Sequence, residues 1–139
     1  MKMNIPVLDR SNYLKGLFIT AKLDKELSQK EKDILKKISD KLGFATDFYH
    51  ETIRSLLTNK YIKEEPIVFS DKEIARSFLN DAIRLACSKN LITDQEITWL
   101  KNTAIANNLN TEVVDKELKS YKESPVLFSG KDFALFSII

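Results

Sequence analysis

Apolar residues recur along this chain at helical spacing, and short polar breaks separate the runs. Leu14, Leu17, Phe18 and Ala21 follow the i, i+3, i+4, i+7 pattern of one helical face. Asp9 or Ser11 stands where it can cap this first helix. Ile34, Leu35, Ile38 and Leu42 mark a second helix over roughly 28 to 42, and Gly43 follows it as a left-handed stop. Thr46 and Asp47 open a third helix whose apolar members are Phe48, Tyr49, Ile53, Leu56 and Leu57. A polar stretch from Tyr61 to Pro66 leads to a fourth helix, about 70 to 89, bearing Ile74, Phe78, Leu79, Ala82, Ile83 and Ala86. Asn90 suits a left-handed cap after it. A fifth helix bears Ile97, Leu100, Ala104 and Ile105, and Thr111 opens a sixth with Val113, Val114, Leu118 and Tyr121. The pattern predicts an all-α chain.

The starts of these helices share a local chemistry. Ser28 with Glu31, Ser70 with Glu73, and Thr93 with Glu96 each place a hydroxyl three residues before a glutamate. In this arrangement the hydroxyl accepts from the backbone N–H at the glutamate, whose carboxylate reaches back to the N–H of the cap residue. The first and last of these boxes stand at an offset of 65 in the numbering, and the core residues keep the same offset: Leu14 with Leu79, Phe18 with Ile83, Ala21 with Ala86, Leu35 with Leu100. Helices share a period, so apolar positions alone could match by chance. Caps falling in the same register argue for a repeat. The reading is two three-helix units, about 10 to 58 and 70 to 122, about a pseudo-twofold axis, with an extension over 123 to 139.

That extension contains its own echo, since 124 to 134 resembles 65 to 75 in sequence. Ser129 with Asp132 would cap a short seventh helix there, although Leu127, Phe128 and the run from Phe133 to Ile139 also suit strands. The apolar ending in Phe136, Ile138 and Ile139 predicts docking on the bundle.

Size and composition narrow the possibilities further. The 139 residues suit a single domain able to bury its own core, and only three Gly and three Pro agree with a helical chain. A formal net charge of +2 with mixed signs offers no strong field for nucleic acid, so none is expected as a partner. Cys87 is the single cysteine, which excludes an internal disulfide and a multi-cysteine zinc site. The N-terminus lacks a secretion-type apolar core, and no apolar run approaches the length of a membrane span, about twenty residues. A cytoplasmic protein without membrane insertion is expected.

Few side chains point to chemistry. Asp24, Glu26 and Glu31 form an acidic group near the first inter-helix loop and are the candidate ligands for a divalent metal such as Ca²⁺ or Mg²⁺. They do not make an EF-hand, because the twelfth position from Asp24 is Leu35 and the central glycine is missing. Glu31 is also accounted for as a capping group. His50, the sole histidine, and Cys87 bring no nucleophile motif with them, so no catalytic residue is expected. Lys30, Lys32, Lys36, Lys37 and Lys41 make the second helix basic, but Asp33 and Asp40 interrupt them and favour a solvated face over a phosphate site. Trp99 is either a core residue, as aligned Ile34 suggests, or an anchor for a partner.

The loop Asp24-Lys25-Glu26-Leu27-Ser28-Gln29-Lys30-Glu31 resembles the pattern Asp-Gly-x-Ile/Val-Ser/Thr-x-x-Glu of the tellurite-resistance TerB family, with Lys25 in the glycine place. Its second copy, Lys89 to Glu96, keeps the cap and has lysine in place of the aspartate. The resemblance covers about 10 to 122 and implies an all-helical, internally repeated domain linked to tellurite resistance and stress response, with an interaction or sensing role. It also implies that acidic positions, here Asp24, Glu31 and Glu96, are where a metal would sit. The expected function is a non-enzymatic interaction module, with a divalent-metal sensor as the alternative and no other cofactor.

Overall fold

The computed structural model describes residues 4–22, 29–58, 65–87, 92–123 and 134–138. Among them are six helices and no strand: α1 (Val7–Lys22), α2 (Gln29–Lys41), α3 (Thr46–Thr58), α4 (Lys72–Cys87), α5 (Asp94–Ala106) and α6 (Glu112–Glu123). One further helical turn spans Leu135–Ile138, where a short seventh helix is expected from the sequence. The proposed start of that helix at Ser129 and Asp132 lies outside the described residues, as do Ser28 and Asn90.

α1 and α4 cross at the centre. α2 and α3 pack on α1, while α5, α6 and the C-terminal turn pack on α4. The apolar stripes read from the sequence face this crossing: Leu14, Leu17, Phe18, Leu35, Ile38, Phe78, Leu79, Ala82, Ile83 and Leu100 are all buried in one continuous cluster. Of the other expected members, Ile97, Val113 and Tyr121 are half-buried, the side chains of Ile53, Leu56 and Leu57 lie outside the described residues, and two are exposed. Phe48 and Ile105 remain 45% and 59% exposed, because each sits one position off the buried stripe of its helix, beside Tyr49 and Ala104.

The crossing is close because one residue has no side chain. A Cβ on Gly16 would lie 2.5 Å from Cζ of Phe78, and Phe78 is held in place by edge-on contacts to Tyr13 and Trp99 at 5.5 and 6.1 Å. Glycine inside a helix costs about 1 kcal/mol relative to alanine. Here the close approach of α4 requires it.

The helix ends show which caps are local and which are overridden. Thr93 forms the expected box, its Oγ1 accepting from Glu96 N at 3.1 Å while Glu96 Oε1 accepts from Thr93 N at 2.9 Å. Gly43, with φ of 90°, ends α2 as predicted, and its turn is closed by Phe44 N to Ser39 O and Gly43 N to Asp40 O, both 3.0 Å. Asn108 ends α5 in the same way at φ of 59°, with Leu109 N to Ala104 O at 2.9 Å and Asn108 N to Ile105 O at 3.0 Å.

The Ser70 and Glu73 box does not form. Asp71 is the cap of α4 instead, accepting from Glu73 N at 2.7 Å, and the Ser70 hydroxyl donates to Asp9. Asp9 is therefore not the cap of α1, which begins earlier, at Val7, with Arg10 N donating to the Pro6 carbonyl. Ser11, the other cap candidate, lies in the second turn. The connector before α4 is fixed by Asn107, which accepts from Phe69 N at 2.8 Å and donates to Ile67 O at 2.7 Å.

Gly16→Ala is expected to lower the urea midpoint despite its better helix propensity, because overpacking a filled core costs about 1 to 3 kcal/mol. A midpoint equal to or above that of the unaltered chain would show that α4 can move aside. Thr93→Ala is expected to cost about 1 kcal/mol through loss of the α5 cap, measured the same way.

Candidate functional site

Two places gather polar or exposed side chains: a buried centre on the α1/α4 crossing, and an open groove between α1 and α3. At the first, Asp81 is fully buried and accepts three hydrogen bonds. The Tyr13 hydroxyl donates to Oδ2, Ala134 N donates to Oδ1 at 2.6 Å, and Leu135 N donates to Oδ2 at 3.1 Å. Ser77 Oγ lies 3.0 Å from the Tyr13 hydroxyl and supplies the proton there, since that of Tyr13 is committed to Asp81. The carboxylate thus holds the start of the C-terminal turn against α4, as an acidic cap holds a helix N-terminus.

Burial pushes the Asp81 carboxyl up to about 7, against the pull of the Tyr13 hydroxyl, the two N–H groups and the nearby Arg84. The same burial, with the Asp81 charge beside it, pushes the Tyr13 phenol well above its ordinary range. Tyr13 and Asp81 have no exposed surface and Ser77 is buried. Their geometry serves packing: every proton has a receiver inside the group, and none faces a space where a substrate could lie.

The groove between α1 and α3 has a volume of about 400 Å³ and is lined by Ser11, Leu14 and Lys15 from α1 and by Phe48, Glu51, Thr52 and Ser55 from α3. Leu14 forms a buried floor, and Phe48 stacks on Phe44 at 5.0 Å. Val7 and Leu8 continue the α1 wall one turn beyond Ser11 and are 74% and 72% exposed. The Arg10 side chain bonds the carbonyls of Ile5 and Leu42, which ties this end of α1 to the α2–α3 turn. Three of the five large apolar side chains exposed among the described residues therefore belong to the α1/α3 side. The sequence reading missed this face, because it counted Phe48 as core and began the first helix after Val7 and Leu8.

The sequence-predicted residues fall elsewhere. Glu31 is buried in the first turn of α2, while Asp24 and Glu26 lie outside the described residues. Among the described residues no three His, Cys, Asp or Glu side chains gather where a metal ion could sit. Glu73 is exposed at the start of α4, and Glu96 is buried in its box with Thr93. Trp99 is 4% exposed, edge-on to Phe78, with no hydrogen-bond partner at its indole N–H. Its buried ring offers no surface to a partner, so of the two readings the core one fits. Cys87 is half-buried; burial, with Glu96 adding to it, pushes its thiol up to about 11, against Lys122. Such a thiol is a weak nucleophile.

His50 is exposed and edge-on to Tyr49 at 5.4 Å, beside a cleft of about 360 Å³ lined by Gln29, Lys32, Asp33, Lys36 and Tyr49. Lys36 pairs there with Asp40, Gln29 donates to Asp33 at 2.9 Å, and the Tyr49 hydroxyl donates to the backbone carbonyl of Lys32. This is a solvated face with internal pairing. No helix among the described residues is long and apolar enough to cross a membrane. Comparison with models of protein families, with curated proteins and with solved structures finds no match to this chain.

The Asp81 carboxyl gives a pH dependence with a definite sign. Its folded-state value lies above the ordinary 3.8, so folding favours the protonated form. That contribution is complete below about 4 and is lost as pH rises to about 7. The urea midpoint of the unaltered chain is expected to fall across this window relative to Asp81→Asn, in which the group cannot ionise. A difference between the two chains that is constant from about pH 4 to pH 8 would contradict the assignment.

Proposed function

We propose that this chain is a non-enzymatic, cytoplasmic helical interaction module, similar to the TerB stress and tellurite-resistance proteins and built from two copies of a three-helix unit. The observation that carries the reading is the α1/α3 groove with Val7, Leu8 and Phe48 exposed beside it. Apolar side chains grouped on one face of a soluble protein mark a place where another molecule sits. The buried Tyr13, Ser77 and Asp81 side chains, in contrast, are engaged with one another and with the C-terminal turn, which favours binding over catalysis.

The helix ends support the repeat. α4 and α5 begin and end at an offset of 65 from α1 and α2, and the left-handed stops Gly43 and Asn108 keep the same offset. The central contacts support it independently. Shifting by this offset exchanges Gly16 against Phe78 with Asp81 against Tyr13, and contacts on the two sides of a twofold axis exchange in this way.

Affinity capture from native cells tests the binding role. The unaltered chain is expected to retain proteins that a Leu8→Asp, Phe48→Asp double variant recovers at least tenfold less well, at equal thermal stability. Equal recovery by both would overturn the reading.

A further inference from the structure

Resting on the reading of the α1/α3 face as a binding surface, we infer that its occupant is a second copy of this chain, docked about a twofold axis. The first argument is an internal comparison. At the repeat offset, the positions matching Val7 and Leu8 are Lys72 and Glu73, which begin α4 as exposed charges. The positions matching Phe48 and Glu51 are the half-buried Val113 and the exposed Lys116. Two helices of the same length start in the same way, so the fold does not require apolar residues at the start of α1. Their exposure belongs to something the α1/α3 face alone does.

The second argument is charge. Among the described residues the groove carries one exposed cation, Lys15, on its α1 wall and one exposed carboxylate, Glu51, on its α3 wall. A partner of a single strong charge gains from one wall what it loses at the other. A second copy related by a twofold axis places Lys15 against Glu51 of its mate and Glu51 against Lys15, two equivalent pairs from one complementary surface. Such exposed pairs set register more than affinity, and the apolar residues between them supply the attraction.

The size of the face sets the strength. At about 1.5 Å per residue and about 10 Å of width, α1 and α3 present on the order of 450 Å² per copy. A standard stable interface buries about 800 Å² per partner. At about half that size the interface falls in the small, transient class, and the dimer is reversible.

Sedimentation equilibrium of the full chain over about 5 to 500 µM tests this. The average mass is expected to rise from that of one chain toward that of two, and to stay at one chain for Leu8→Asp and for Phe48→Asp. Lys15→Glu and Glu51→Lys are each expected to weaken association severalfold, and the double reversal to restore it. A chain that stays monomeric throughout, association indifferent to Leu8→Asp and Phe48→Asp, or a double reversal that restores nothing would overturn the inference. Monomers whose Leu8→Asp, Phe48→Asp variant still loses captured proteins would remove the second copy and leave the interaction module standing. A patch-dependent dimer with capture unchanged would do the reverse.

Discussion

The crossing of α1 over α4 depends on two contacts that solve one steric problem in different ways. On one side Gly16 leaves room for the Phe78 ring, whose Cζ would stand 2.5 Å from any Cβ placed there. On the other, Asp81 meets Tyr13 through a hydrogen bond. Between them Tyr13 and Phe78 stack edge-on at 5.5 Å, on or near the proposed twofold axis. Every other helix packs on α1 or α4, so the spacing set here fixes where α2, α3, α5 and α6 can lie.

The carboxylate does more than fill space. A buried charge is expensive unless its partners are in place, and Asp81 takes two of its three from the backbone of residues far along the chain. Folding of the crossing and docking of Leu135–Ile138 are thereby coupled. Hydrophobic burial of Leu135 alone would favour docking without specifying which backbone groups meet α4; the two N–H groups on Asp81 define the register. Asn107 acts in the same manner on the connector ahead of α4, reading Ile67 and Phe69 through their backbone. In both cases one polar side chain satisfies backbone groups that no helical ladder reaches, in the connector at Ile67 and Phe69 and at the N-terminal end of the C-terminal turn.

What could be read from the sequence was local. The Thr93 and Glu96 box, the Gly43 stop and the apolar stripes of α1, α2 and α4 each involve residues within a few positions of one another, and short-range chemistry fixes them. Ser70 had the same local signature, yet its hydroxyl goes to Asp9, far back in the first helix, and Asp71 takes over the cap. The signature said nothing of a buried carboxylate competing for it. Nothing local singles out Asp81 among the polar residues of α4, because its partners Tyr13, Ala134 and Leu135 come from both ends of the chain. Phe48 was misplaced for a related reason: next to Tyr49, either residue could have been the inward one, and contact with α2 decided it through the Tyr49 hydroxyl on Lys32.

On the proposed repeat, the offset between the two halves separates what the fold needs from what one half has added. Buried glutamates at 31 and 96, buried leucines at 35 and 100, and left-handed stops at 43 and 108 recur where the helices must turn and pack. Differences between matched positions then carry information that neither half carries alone. Gly16 against Asp81 is one such difference, and it is matched across the proposed axis by Phe78 against Tyr13. Val7 and Leu8 against Lys72 and Glu73 are another, with no compensating contact of that kind. The first pair is explained inside the molecule. The second leaves apolar side chains in water at the start of α1 where α4 begins with charges, and this is the difference on which the proposed binding face rests.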